Sequence, residues 1–222
     1  MTPMGFPDFR GKDMRNLGLK FSLALPVLIC AVTGPAHATT LQRQSLSDLA
    51  KKAEFIFEGQ PVGRVVEALP DDQGARTCYT FKVIQAIAGS HPGSTLRLCF
   101  LGGMIGNKGF AVTDLNMPTM GEHGIYLVES TSEAMVNPLI GWDQGHFLVA
   151  RDQAGAFRIT TADRRPVTAL TADAARPTAS APEIASPSGT TAVGVMADGQ
   201  ADLSGAMPRD VFVKELRSFH DR

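Results

Sequence analysis

Carboxylate and imidazole groups occur together in two short segments of the chain, at Glu122-His123 and at Asp143 and His146. Such groups are ligands for zinc and other transition metals, and they also serve as general acids and bases. No pair of histidines has the His-x-x-x-His spacing that binds zinc from one helix, so a metal centre requires the two segments to converge. A metal-binding protein or a metal-dependent enzyme is therefore one alternative function.

Nucleophilic catalysis and nucleotide binding have little support in the sequence. Ser130 and Ser132 follow an apolar run, but no Gly-x-Ser-x-Gly elbow and no neighbouring base accompany them. The glycine-rich run Leu101–Gly109 resembles a phosphate-binding loop, yet the residues after it do not begin a helix that would supply oriented N–H groups. We therefore expect no nucleotide and no cofactor, and a non-catalytic function is favoured over an enzyme.

The glycine-rich region predicts a surface loop that contacts a partner. Glycines leave a loop conformationally free, and binding residues are frequently found on loops. The single tryptophan lies in a neighbouring predicted turn, where it would anchor a partner if exposed and belong to the core if buried. The predicted contact residues are Gly102, Gly103, Met104, Gly106, Asn107, Lys108 and Trp142.

Cys78 and Cys99 fall in the two strands of a predicted β-hairpin. If Phe81 pairs with Phe100, Cys99 lies opposite Lys82. The two cysteines are then separated by roughly 13 Å, at about 3.4 Å per residue, which is beyond the reach of a disulfide. Both side chains point to the same face, however, so a bulge or a shifted register would bring them together. The sequence is therefore compatible with two alternatives, a disulfide between Cys78 and Cys99 or two separate thiols.

Short strands and turns dominate the predicted elements, after a helix over residues 45–53. The strands are predicted at 54–66, with bulges at Gly59 and Gly63, at 77–87, 96–100, 124–129, 146–150 and 156–159. Strands do not alternate with helices along the chain, so the pattern does not predict a parallel sheet. The pattern predicts a mainly β domain over residues 39–165, a small five- to six-stranded OB-like barrel.

The composition changes after this domain. Residues 166–206 are rich in Ala, Pro, Ser and Thr, which bury little apolar surface, and they are predicted to be a disordered linker. Residues 207–222 predict a C-terminal helix with Phe212, Leu216 and Phe219 on one face and Pro208 at its first position. This helix either docks on the β domain or serves as a separate interaction helix.

The first 38 residues are typical of a secretory signal peptide. Basic residues precede the apolar run Phe21–Val32, and Ala36-His37-Ala38 forms a cleavage site, so the mature chain is expected to begin at Thr39. The apolar run is shorter than the about 20 residues of a spanning helix, so no membrane span is expected after cleavage. Ile29 before Cys30 does not fit a lipoprotein signal, and no twin arginine is present, which favours Sec export. Met14 is an alternative start.

Size and charge exclude several function classes. The chain has 222 residues, 44% of them hydrophobic, and a formal net charge of −1. It has enough apolar residues for a core, whereas the balanced charge argues against a nucleic-acid-binding protein.

The order of these motifs resembles a group of small exported bacterial proteins of unknown function, whose OB-like barrel is similar to netrin-type domains and tissue inhibitors of metalloproteinases. The motifs that carry the resemblance are Leu49–Gly59, Tyr79–Gly89, Leu101–Gly103, Gly121–Val128 and Gln144–Val149. Those inhibitors chelate the zinc of their target with an N-terminal cysteine, but this mature chain would begin with Thr39. The resemblance therefore implies the fold and not the inhibitory mechanism.

Together, these features predict an exported binding module of the cell envelope or medium. Its partner is expected to be an envelope or secreted protein, contacted through the glycine-rich loop. The alternatives are the metal-dependent function of Glu122, His123, Asp143 and His146, and an accessory or inhibitor-like partner of a secreted protease.

Overall fold

The computed structural model describes residues 41–70, 73–90, 93–176, 184–185, 189–199 and 202–222. The predicted signal peptide, residues 1–38, lies outside the described residues. Within the described part of the chain, no helix is both long and apolar enough to cross a membrane.

Antiparallel strands make up most of the regular secondary structure in the described residues. The strands of the main sheet are β2 (Phe55–Ala68), β3 (Ala75–Gly89), β4 (Thr95–Leu101), β7 (Gly124–Val128), β8 (His146–Arg151) and β9 (Phe157–Thr161). Smaller pairs are formed by β1 (Leu41–Gln42) with β11 (Ile184–Ala185), β5 (Gly103–Ile105) with β6 (Lys108–Phe110), and β10 (Val167–Leu170) with β12 (Val195–Ala197). The prediction of a mainly β protein is confirmed.

The main sheet is open, so the predicted OB-like barrel is wrong. Over the described residues the sheet has six strands in the order β4-β3-β2-β7-β8-β9, and its edge strands β4 and β9 do not pair. β2 pairs with β7 only from Phe55 to Gly59, whereas β3 follows β2 as far as Ala68. The second half of β2 therefore extends with β3 and β4 beyond the rest of the sheet. The chain after β4 folds back as the β5–β6 hairpin and supplies no closing strand.

Both faces of the sheet are covered by apolar residues. One face carries an aromatic core of Phe55, Phe57, Tyr79, Phe81, Phe100 and Tyr126, with Leu96, Leu98, Val128 and Leu139. The other face packs against α1 (Leu46–Lys52) and α2 (Arg209–His220). Successive side chains of a strand point to opposite faces, so Phe57 and its neighbour Glu58 belong to different sides of the sheet.

The two predicted helices are present and both are packed on the sheet. α1 begins after Ser45, whose Oγ accepts a hydrogen bond from the Asp48 N–H at 3.0 Å. In α2 the apolar face that includes Phe212, Leu216 and Phe219 is buried. The C-terminal helix therefore docks on the β domain, which was the first of the two alternatives.

The prediction of a disordered linker over residues 166–206 is wrong for the described part of that segment. β10 pairs with β12, and Val167, Ala174 and Ala192 are fully buried in the core on the helix side of the sheet. Small side chains allow the backbone to approach this core closely, so alanine-rich segments contribute packing that a count of large apolar residues misses. Residues 177–183, 186–188 and 200–201 lie outside the described residues.

The β3–β4 hairpin is present, but its predicted register is wrong. Phe81 pairs with Leu96 and Phe100 with Thr77, so Cys78 lies directly opposite Cys99 and forms a disulfide with it. The actual register differs from the expected one by an even number of residues, which leaves every side chain on its predicted face. The hydrophobic pattern is therefore the same in both registers and does not distinguish them.

Candidate functional site

A carboxylate, an imidazole and a guanidinium form a buried cluster on the helix side of the sheet. Glu58 of β2 lies 2.6 Å from the Nε2 of His123, which precedes β7. Arg209, the first residue of α2, donates from Nε to Oε2 of Glu58 at 2.9 Å, and its Nη2 donates to the same oxygen and to Gln85 of β3. The side chain of Glu58 is only 4% exposed. This cluster connects three strands with the start of the C-terminal helix.

The environment keeps Glu58 ionised. Burial raises the pKa of Glu58, but the hydrogen bonds and positive charges of His123 and Arg209 together outweigh burial, so the pKa lies below the ordinary value of 4.5. Glu58 and Arg209 are not among the site residues predicted from the sequence. A signal was available, because Glu58 interrupts the apolar run Phe55–Phe57, and a carboxylate inside a buried strand needs a partner.

A second cluster involves Glu122, Tyr126 and His146. Glu122 Oε1 accepts a hydrogen bond from the Tyr126 hydroxyl at 3.0 Å and lies 3.0 Å from His146 Nε2. The His146 ring stacks on Tyr126, with ring centroids 4.9 Å apart. Burial raises the pKa of Glu122, but His146 and the hydrogen bonds from Thr119 and Tyr126 lower it below 4.5. Burial and the Glu122 charge both raise the pKa of Tyr126, so its hydroxyl stays a hydrogen-bond donor.

Asp143 belongs to a third, separate set of contacts. Its Oδ2 accepts hydrogen bonds from the Asn116 side chain at 2.6 Å and from the Gly189 N–H at 2.8 Å. Burial raises the pKa of Asp143 despite these bonds. The contacts connect Asn116, which follows the β5–β6 hairpin, and the Gly189 backbone to the turn that precedes β8.

The four residues of the metal hypothesis are therefore not assembled into one centre. His146 faces Glu122, whereas the His123 ring faces Glu58, and Asp143 bonds to an amide and a backbone N–H. Within the described ranges, no group of three or more His, Cys, Asp or Glu side chains is arranged to hold a metal ion. The two sequence segments form ion pairs and hydrogen bonds that need no metal.

A cavity of about 290 Å³ adjoins Glu122, His123 and the middle of β8. Its polar lining is Glu122, His123, Thr160 and Arg164, and its apolar lining is Leu148, Val149, Ala150 and Leu203. Arg164 has a φ of 67°. This left-handed backbone conformation is sterically unfavourable for residues other than glycine. Strained residues of this kind are concentrated at functional sites. The arrangement suits a small molecule with one polar end.

The glycine-rich region forms the β5–β6 hairpin, which packs on the extended end of the sheet. Gly103 approaches this sheet so closely that a Cβ there would lie 2.7 Å from Val66 and 2.8 Å from Thr77, and its φ of 148° also favours glycine. Gly106 and Asn107 form the turn. Met104 is 62% exposed and lies across the hairpin on Gly109. The hairpin therefore presents a large apolar side chain to solvent from a base that packs closely on the sheet.

Three hollows adjoin one another beside this hairpin. A cavity of about 350 Å³ is lined by Leu101, Gly102 and Phe110, among others, at the base of the hairpin. A cavity of about 240 Å³ shares Leu101 with it, and a cleft of about 200 Å³ shares Cys99 with that second cavity. Val136 lines the middle cavity and is 42% exposed. Hollows and exposed apolar side chains thus form one continuous surface, which we call the hairpin surface.

Trp142 is placed in a different part of the fold. It begins a short 3₁₀ turn, Trp142–Gly145, that precedes β8 and packs near α1, and its side chain is half-buried. The predicted contact residues 102–108 lie instead against the extended ends of β2 and β3. Trp142 is therefore not part of the hairpin surface.

Comparison with known proteins gives no relative. No family model matches the chain, and no curated protein and no solved structure is significantly similar to it. The function must be inferred from the geometry alone.

Proposed function

We propose that this chain is an exported, non-catalytic binding module whose partner is a protein of the cell envelope or medium, contacted at the hairpin surface. The observation that carries the proposal is the combination of three adjoining hollows with the exposed side chains of Met104 and Val136. Contiguous exposed apolar surface is typical of interaction sites in soluble proteins. The predicted contact residues Gly102, Gly103, Met104, Gly106, Asn107 and Lys108 all belong to this region, whereas Trp142 does not.

The buried ion pairs support a structural role for the residues that looked catalytic. Glu58, Glu122, His123 and His146 are each engaged by neighbouring side chains, and these contacts hold strands and the C-terminal helix together. A catalytic acid or base needs access to a substrate proton. The side chains of Glu58 and His146 are only 4% and 6% exposed, which favours a structural role over catalysis for these two groups.

Affinity capture with a matched pair of variants tests the proposal. Met104→Glu places a charge on the hairpin surface, and Met196→Glu places the same charge on β12, where Met196 is 53% exposed. We expect the wild-type chain and Met196→Glu to capture the same dominant protein from the exported fraction, and Met104→Glu to lose it. Equal capture by the two variants, or no captured protein, contradicts the proposal. Mass spectrometry of the captured protein shows whether it is a protease, the partner class that the inhibitor-like alternative requires.

Export is part of the proposal and has its own test. The signal peptide pattern of residues 1–38 supports it, and so does the Cys78–Cys99 disulfide, because disulfides persist in oxidising compartments. We expect the chain in the periplasm or medium, with Thr39 as its first residue by N-terminal sequencing. An uncleaved chain in the cytosol contradicts export. That result does not contradict the proposal that the hairpin surface binds a partner.

The cavity beside Glu122 and His123 supports a second candidate, binding of a small molecule with a polar end. Leu203→Trp would occupy part of this cavity of about 290 Å³ and leaves the residues of both ion pairs unchanged. Native mass spectrometry of the chain purified from its host tests the candidate. A co-purified molecule that Leu203→Trp excludes would support it, and an empty wild-type chain would oppose it.

A further inference from the structure

Strand β4 is an edge of the sheet, and part of its backbone faces a cleft. The Leu101 N–H donates outward to the Val136 carbonyl at 2.9 Å, whereas the next residue, Gly102, donates to Ala75 at 2.6 Å, on the β3 side. The register between β3 and β4 is continuous from Leu101 to Thr95. Backbone groups of successive strand residues alternate in direction. Cys99 and Arg97 therefore point their N–H and C=O groups the same way as Leu101, away from β3.

These backbone groups have no strand beside them among the described residues. The cleft of about 200 Å³ runs between them and the segment Ser130–Ala134. That segment is held on both sides, because Thr131 bonds to the Glu54 carboxylate and Val136 accepts the hydrogen bond from Leu101. The cleft is therefore a preformed slot whose inner wall is the free edge of a β-strand.

The slot continues into an apolar cavity. This cavity of about 240 Å³ is lined by Leu69, Leu101, Met135 and Val136, together with Arg76, Cys99 and Ala134. A strand paired with Arg97 and Cys99 and continuing toward Leu101 would bring a side chain to this cavity. An aliphatic side chain suits its lining.

The charges at the slot are balanced. Arg76 and Arg97 both bond to the carboxylate of Glu67, and Glu133 lines the opposite wall. Two positive and two negative groups give the slot no net charge, so neither a strongly acidic nor a strongly basic occupant is favoured. The slot matches the backbone of an uncharged, extended peptide.

We propose that the protein partner binds by adding an extended, aliphatic segment as a further strand at the Arg97–Cys99 edge of β4, with an aliphatic side chain in the cavity formed by Leu69, Leu101, Met135 and Val136. The inference rests on the proposed function, since it specifies how the hairpin surface holds its partner. Strand addition gives affinity through main-chain hydrogen bonds and specificity through side-chain pockets. The segment Ser130–Ala134 limits access to a single chain and disfavours pairing with the sheet edge of a second copy.

A pair of substitutions at Arg97 separates the backbone donor from the side chain. Arg97→Pro removes the outward N–H, a position where an edge strand tolerates proline. Arg97→Ala removes the guanidinium and keeps the N–H. The probe is a random peptide library displayed on phage and selected against the full chain. We expect the enriched peptides to carry aliphatic residues and to bind Arg97→Ala like the wild type. Because the lost N–H leaves a peptide carbonyl without a partner, we expect about tenfold weaker binding to Arg97→Pro.

Hydrogen exchange in the wild-type chain keeps the test valid if Arg97→Pro folds poorly. We expect the amides of Arg97 and Cys99 to exchange more slowly when an enriched peptide is added. Unchanged exchange, equal binding to Arg97→Pro, or failure to enrich any peptide overturns strand addition. A concentration-dependent dimer that Arg97→Pro dissociates also overturns it, because the edge would then pair with a second copy. If Met104→Glu abolishes partner capture and Arg97→Pro does not, the proposed function stands and only strand addition fails.

Discussion

At the scale of single residues, the ionised groups inside the fold stabilise it only as complete sets. Glu58 is buried with two positively charged or hydrogen-bonding partners, one from the start of β7 and one from α2. A buried carboxylate that loses a partner retains the cost of its desolvation and loses the compensating attraction. The effect of a substitution therefore depends on which partner is left behind.

Arg209→Met tests this dependence. We expect it to lower the free energy of unfolding by about 3 kcal/mol, because Glu58 stays buried with His123 as its remaining partner. Urea-induced unfolding measures the change. Arg176→Met is the control, since Arg176 and its partner Asp173 are 74% and 61% exposed and such pairs contribute about 0–1 kcal/mol. Equal effects of the two substitutions would show that the Glu58 cluster is not a stabilising unit.

The ionisation of Glu122 makes the free energy of unfolding depend on pH. Its pKa lies below 4.5 in the folded chain, so the folded state binds this proton less tightly than the unfolded state does. The stability that Glu122 contributes is present at pH values above 4.5. It is lost as the pH falls through the pKa that Glu122 has in the folded chain. We expect Glu122→Gln to flatten the fall in the free energy of unfolding below pH 4.5, measured by urea unfolding across that range.

The exposed Glu129 provides the control for this pH dependence, because Glu129→Gln removes the same charge at the end of β7. Asp143 acts in the opposite direction, since its raised pKa adds stability on acidification. It is present in the wild type and in both variants, so it does not affect the comparison. A curve for Glu122→Gln that is as steep as the curve for Glu129→Gln would contradict the prediction.

At the scale of elements, the sequence predicted those whose hydrophobic period is strong and missed those held by small residues. The β3–β4 hairpin, the strands predicted at 146–150 and 156–159, and α2 follow clear periods of alternation or of helical spacing. The segment that contains β10 and β12 instead fits into the core partly through the small residues Ala174 and Ala192, which lie outside both strands and carry no such period. Glu58 and Arg209 are brought together by the docking of α2 on the sheet, a contact between residues far apart in the chain that no local pattern encodes.

Gly194→Ala tests whether the segment predicted as a linker is packed. Gly194 has a φ of +85°, and a Cβ there would lie 2.0 Å from the backbone nitrogen of Ala174. We expect a loss of about 2 kcal/mol or more in the free energy of unfolding, from backbone strain and a clash with a main chain that cannot move aside. Gly199→Ala is the matched control, because nothing lies within 4 Å of its added Cβ. If both variants unfold like the wild type, the segment is not packed as the structure has it.

At the scale of the whole molecule, an open sheet leaves an edge strand that has a neighbouring strand on one side only. The register of that strand must be fixed from this one side. The Cys78–Cys99 disulfide joins β3 to the edge strand β4 at directly opposed residues. Their backbone groups point away from each other, and side chains at such pairs approach most closely in antiparallel sheets. An even shift of β4 would keep its apolar face buried, so the hydrophobic pattern alone does not fix the register. The disulfide fixes it, and with it the position of the Arg97 and Cys99 backbone groups.

Replacing both cysteines with alanine separates stability from register. The bond closes a loop with a sequence separation of 21, and we expect its loss to lower the free energy of unfolding by about 3 kcal/mol. Reduction of the wild type should lower its melting temperature to that of the double variant. The double variant should also lose the affinity for peptides that bind the β4 edge, even at temperatures where it is fully folded, because β4 is then free to change register. A double variant that is as stable as the oxidised wild type and binds those peptides equally well would show that the core alone holds the edge strand in place.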